Sequence, residues 1–280
     1  MKTEKSFTEI VNEQLAADET RLPVFNETAL RVHQELGRDD PDTGLIENII
    51  VRDQALTGQI LRQANSAFFR GLQKVSTVKE AIIRLGIREV ARIVMVVSQK
   101  ELFVSNDRFI NTIMTTLFRH SQATAMGSQW LARQCRFEAL ENEAFFAGLL
   151  HDVGKLFILT VIERIRSKNL IDFDPTQALL NEVLETLHPE QGYSLMKSWN
   201  LPEKYCDVAR DHHQEDFDQN NFLLAIVRLA NKAANKIGVG LIDSSSLILS
   251  ATAEANLLGL SDIDLARLEI ELEDALEKYA

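Results

Sequence analysis

AGLLHDVGKLFIL, from Ala147 to Leu159, sets an imidazole, a carboxylate and an ammonium group into an otherwise apolar run. Phe145, Phe146, Leu149, Leu150, Val153, Leu156, Phe157 and Ile158 cover most directions around it. A helix apolar nearly all round is a buried helix. An unpaired Asp152 carboxylate in its middle costs several kcal/mol, so it must be protonated, paired or bound to a cation. Lys155, one turn on, can pair with it across the helix face. Gly148 and Gly154 leave room for another backbone or a ligand to come close. On these residues alone two readings stay open: a structural His–Asp pair neutralised by Lys155, or a cation site.

The same helical period runs outward through most of the chain. Only five prolines and twelve glycines interrupt it. Ser6 with Glu9 and Thr77 with Glu80 read as capping boxes. Asp174-Pro175-Thr176-Gln177 reads as an N-cap, a first-turn proline and an N3 amide. Ser261 with Asp264 opens a last amphipathic helix bearing Leu265, Leu268, Leu272 and Leu276 on one side. No alternating strand pattern is found; LILSA, ending at Ala251, comes nearest and is short. The expected class is all-α.

VSNDRF, Val104 to Phe109, is a polar break. It sets the expected division into an N-terminal helical part (1–110), a helical core (111–240) and a C-terminal helical extension (241–280). A hydrophobic content of 45% in 280 residues supports a large core. The formal net charge of −11 argues against nucleic acid as a partner, because phosphate binding needs a basic face. Two unpaired-looking cysteines, Cys135 and Cys206, fit a reducing compartment. No uninterrupted apolar run reaches the ~18 residues of a membrane span. The expectation is a cytoplasmic protein without membrane or nucleic-acid partners.

Five of the six histidines, His120, His151, His188, His212 and His213, fall between residues 120 and 213, inside or beside helical patterns. Imidazole is the commonest side-chain metal ligand near neutral pH, and carboxylates complete such sites. His33, on a separate amphipathic pattern, reads as an ordinary histidine. Asn65-Ser66 reads as a cap, Asp39-Asp40-Pro41-Asp42 as a turn, and Arg84, Arg88 and Arg92 as a solvated helix face. Trp130 and Trp199 read as core or interface residues. No G-x-S-x-G or glycine-rich phosphate loop is present.

The order of His120-Ser121, His151-Asp152-Val153-Gly154-Lys155, His188-Pro189-Glu190-Gln191-Gly192, Leu201-Pro202 and His212-His213 resembles the HD superfamily of all-α metal-dependent phosphohydrolases. Asp53 to Thr57, Leu61 to Phe69 and Val75 to Gly86 are similar to the HDOD branch, and the likeness runs over roughly residues 20 to 235. It implies an HD-type helical bundle with an N-terminal HDOD subdomain. It implies ligand roles for His120, His151, Asp152, His188, His212 and His213, with Asp152 bridging two metals and Lys155 beside a substrate phosphate. The implied cofactor is one or two divalent ions of iron, manganese, nickel or zinc.

Two departures qualify that implication. Leu229-Ala230-Asn231-Lys232 places Asn231 where the family pattern has its last carboxylate ligand. The chain continues past His213 as Gln214-Glu215-Asp216-Phe217, without the Gly-Tyr-Pro loop of the related HD-GYP branch. The resemblance therefore implies a bacterial signalling module with a metal site and weak or no catalysis, the alternative being a metal-dependent phosphohydrolase acting on phosphodiesters or nucleotides. No receiver or kinase segment is read, so the expected partner is another signalling protein or a small phosphate-containing ligand.

Overall fold

The computed structural model describes residues 5–17, 23, 25–38, 40–69, 71 and 73–278, the last four by backbone alone. Asp39 of the acidic turn and the side chain of Leu276 lie outside them. The helices are α1 (Phe7–Ala17), α2 (Glu27–Leu36), α3 (Thr43–Val51), α4 (Gln54–Ala64), α5 (Val78–Leu85), α6 (Ile87–Lys100) and α7 (Arg108–Gln134). They continue with α8 (Glu141–Leu150), α9 (Val153–Ser167), α10 (Gln177–Ser198), α11 (Glu203–Asp211), α12 (Phe222–Lys236), α13 (Ala253–Leu257) and α14 (Asp262–Lys278). No strand occurs among the described residues, and LILSA forms part of a 3-10 turn, Leu249–Ala251.

The chain forms two compact units, Met1–Pro23 with Phe103–Asp274, and Val24–Leu102 with Ala275–Ala280. In these terms α1 goes with the larger unit, where it packs on α9. In the smaller unit α6 packs on α2, α4 and α5. Asn65 ends α4, and its side chain bonds both the N–H and the C=O of Val75, so it is structural. Asp42 of the acidic turn caps α3 through the amide of Leu45. Arg84, Arg88 and Arg92 do not share one helix face. The chain turns at Gly86, whose φ of +81° suits glycine, and starts a new helix there. Arg84 bonds the carbonyl of Gln73, and Arg92 is buried against Glu89 at 2.6 Å.

The capping boxes of Ser6–Glu9 and Thr77–Glu80 form as expected, and Ser261 and Asp264 exchange the same pair of bonds. One start is displaced. Thr176, not Asp174, caps α10, and Asp174 instead pairs with Arg166 at 2.7 Å. Trp130 and Trp199 are half-buried, and the Trp199 indole donates to the Pro23 carbonyl. Leu265, Leu268 and Leu272 of α14 are buried.

In the larger unit α7 packs on α8 and α12, and α9 on α10. Glycines set two of these contacts. A Cβ on Gly148 would lie 2.9 Å from the Ala125 Cα and the Thr124 carbonyl, and one on Gly154 would lie 2.1 Å from the His188 carbonyl. Both positions therefore serve backbone approach. Glu138–Ser167 is apolar enough by composition to cross a membrane, but its most apolar window is 94% buried inside the fold.

Candidate metal centre

His151 and Asp152 do not sit in the middle of one helix. α8 ends at Leu150, α9 begins at Val153, and the two residues form the corner between them. Asp152 stands at the N-cap of α9 with φ −101° and ψ 12°, and its side chain caps no helix amide. The carboxylate turns instead into a cluster of imidazoles from four places in the chain. His120 comes from the middle of α7, His151 ends α8, His188 lies on α10 and His212 ends α11.

The four rings are braced alike. Nδ1 of His120 meets the Val239 carbonyl at 2.6 Å, that of His151 the Gly148 carbonyl at 2.8 Å, and that of His188 the Leu184 carbonyl at 2.7 Å. Nδ1 of His212 meets the Ala209 carbonyl at 2.9 Å. A carbonyl only accepts, so in each neutral ring Nδ1 holds the proton and Nε2 holds the lone pair. All four Nε2 atoms face Asp152. Those of His120 and His151 lie 3.7 and 3.5 Å from Oδ2, and those of His188 and His212 both lie 3.4 Å from Oδ1.

This arrangement leaves buried polar atoms unmatched. The buried His151 Nε2 and Asp152 Oδ1 have no hydrogen-bond partner, a state that costs about 1–3 kcal/mol per group. The Nε2 atoms of His188 and His212 stand 3.3 Å apart, lone pair toward lone pair unless a positive charge lies between them. Donor spacing defines two overlapping groups that can hold an ion: His120, His151 and Asp152, and Asp152, His188, His212 and His213. These imidazole and carboxylate donors would fit one or two divalent ions.

Charge in the cluster is set by burial. Burial holds His120 below the usual imidazole range, and His151 and His188 well below it. It takes His213 down to about 3, with help from the neighbouring His212. Burial also works against ionised Asp152, but the ring of His151 and the ammonium of Lys155 outweigh it, and the carboxyl titrates well below its usual range. Lys155 is likewise opposed by burial and held above its usual range by Asp152 and Glu185. Its Nζ lies 3.0 Å from Asp152 and 2.7 Å from Glu185.

Asn231, on α12, is buried beside His120, and its side-chain oxygen accepts from Asn235 at 2.9 Å. His33 lies on α2 in the other unit. Glu185 joins the centre without having been read from the sequence; its other oxygen lies 3.6 Å from His213 Nε2. Its spacing one turn before His188 was the available signal. A cavity of ≈ 500 Å³ opens beside the cluster, lined by His212, His213, Arg228, Asn231, Lys232 and Asn235 among others.

An all-helical chain folded round a buried centre of imidazoles and one shared carboxylate is the class that these features define. The HDOD domain model matches residues 22–215, and the chain belongs to the HDOD family. Its structure resembles that of an HDOD domain protein of unknown function from Geobacter sulfurreducens, with TM-score 0.72 and 23% identity over 96% of this chain and 95% of that one. It also resembles a candidate metal-dependent phosphohydrolase from Shewanella amazonensis, with TM-score 0.69 and 19% identity over 97% of this chain and 98% of that one. A third likeness is to a candidate signal transduction protein from Marinobacter aquaeolei, with TM-score 0.66 and 20% identity over 99% of this chain and 65% of that one. At these identities the likenesses show the fold. The chain spans less than half the length of the curated relatives it matches.

Proposed function

We propose that this chain is a regulatory HDOD module of bacterial signalling, working in the cytoplasm, with a metal centre for one or two divalent ions and little or no turnover. The observation that carries the metal reading is the unpartnered pair of buried atoms, His151 Nε2 and Asp152 Oδ1, amid rings that all offer lone pairs to one carboxylate. Imidazole-rich donors favour iron, manganese, nickel or zinc over magnesium. His120 and His151 would hold one ion with Oδ2, and His188, His212 and His213 the other with Oδ1. A bound ion of this kind supplies Lewis acidity and lowers the pKa of its water.

Two features support regulation over catalysis. Lys155, the family's phosphate-facing lysine, already divides its charge between Asp152 and Glu185. Asn231 offers no charge, and its oxygen is engaged by Asn235. The partner is then another signalling protein or a small phosphate-containing ligand, and the net charge of −11 speaks against nucleic acid. A second reading, a metal-dependent phosphohydrolase, is favoured by the cavity that reaches His212 and His213.

Elemental analysis of the purified protein against Asp152→Ala tests the centre. One or two equivalents of a transition metal are expected in the parent and none in the folded variant. No metal in either, after anaerobic loading, would sink the proposal. Hydrolysis of phosphodiesters or nucleotides by the loaded parent, abolished in Asp152→Ala, would move the function to the second reading.

A further inference from the structure

The turn that carries His212 and His213 has no regular structure of its own beyond the end of α11, yet it must present two rings to one side. Arg228, on α12 and 5% exposed, meets this turn from behind. Its Nη1 donates to the carbonyl of His212 at 2.9 Å, to that of Gln214 at 2.6 Å and more weakly to that of Asp211 at 3.3 Å. The last carbonyls of a helix lack helical partners, and a cation there also meets the negative end of the helix dipole. The guanidinium carbon lies 4.3 Å over the ring of Phe217, so this one side chain touches the segment at both its ends, Asp211 and Phe217.

Arg228 is held in turn. Its Nε donates to Glu254 at 2.6 Å, and Glu254 is fully buried. Glu254 comes from α13, in the C-terminal extension, and also accepts from Lys232 at 2.7 Å. The fork of donors on a guanidinium reaches a carboxylate and several carbonyls at once, whereas an ammonium on the same stem cannot span both sets.

We propose that Arg228 is a positioning residue that fixes the His212–His213 turn in its ligating geometry, and that Glu254 ties the C-terminal extension to the metal centre by fixing Arg228. This rests on the two-ion reading above, but its backbone part can be tested without metal.

The experiment is amide hydrogen exchange of the metal-free full chain, followed by metal titration. In Arg228→Lys, exchange across 212–217 should rise by about tenfold, the scale of a lost charge-assisted hydrogen bond, while 153–162 stays protected. Glu254→Gln should change in the same direction. Lys232→Met, which leaves the Arg228–Glu254 contact in place, should leave 212–217 as in the parent. On titration with zinc, Arg228→Lys should bind one equivalent as the parent does and the second about 10–100-fold more weakly. Parent-like exchange at 212–217 in Arg228→Lys overturns the proposal. So does a uniform rise along the chain, which would make Arg228 a general stabiliser. If the parent binds no metal, the centre falls, and the exchange result still decides the role of Arg228.

Discussion

Asp152 holds the cap position of α9 and leaves the helix amides uncapped. An aspartate there ordinarily accepts from the second or third amide, a contact of about 1 kcal/mol. Its carboxylate is committed instead to four imidazoles and a lysine. That demand was legible in the sequence, since a carboxylate inside an apolar run has to find a positive partner. Arg228 and Glu254 were not legible, because their contact joins two helices across an irregular segment that no spacing rule spans. Asn231 can be judged directly. Asn231→Asp puts a second carboxylate beside His120, so the metal-free protein should melt lower. Its affinity for the ion held by His120 and His151 should rise, by about tenfold if the residue reaches that ion. Isothermal titration with zinc measures this, and unchanged affinity would remove Asn231 from the ligand shell.

At the scale of elements, the corner at His151–Asp152 is the feature that periodicity missed. No glycine, proline or cap residue other than Asp152 marks it, and the apolar pattern runs on through α8 and α9 as though they were one helix. The helix starts were legible wherever side chain and backbone exchange bonds locally, as at Thr77 and Glu80. They were misplaced by two residues at Thr176, where Asp174 found a partner in Arg166 instead. The contact of α9 with α10 is asymmetric. A Cβ on Gly154 meets backbone atoms of His188 and Gly192 at 2.1 and 2.6 Å, whereas one on Gly192 meets nothing closer than 3.4 Å. Gly154→Ala should therefore cost about 3 kcal/mol, the upper end of overpacking, and weaken metal binding by displacing His188. Gly192→Ala should cost far less. Chemical denaturation of the two variants side by side measures the difference, and equal losses would refute the close approach.

For the whole molecule, the C-terminal extension as far as Asp274 belongs to the larger unit. The sequence showed α14 as an amphipathic helix but not its seat. Leu272 lies where a Cβ on Gly127 of α7 would fall, at 2.7 Å. Glu254 adds a pH dependence. Burial pushes its carboxyl up, but hydrogen bonds from Lys232 and Arg228 outweigh burial and bring it below the usual carboxylate range. A carboxyl depressed by folding stabilises the fold at pH above its unfolded value, and that contribution is lost as pH falls through the folded value. Melting temperature followed from about pH 6 to about pH 3 should fall less steeply in Glu254→Gln than in the parent. Parallel curves would mean the carboxylate adds nothing to acid stability.

The braced rings also bear on how ions come and go. His120, His151, His188 and His212 are at most 2% exposed, while the His213 side chain is 37% exposed and that of Glu185 28%. The cavity reaches His212 and His213. The four inner rings are each tied to a carbonyl, whereas His213 faces Glu185 at the exposed edge. If the centre holds metal as proposed, an ion reaching it from this cavity would meet His213 before the buried rings. The partly exposed His213 and Glu185 would then govern the rate of metal uptake, and the buried rings its retention.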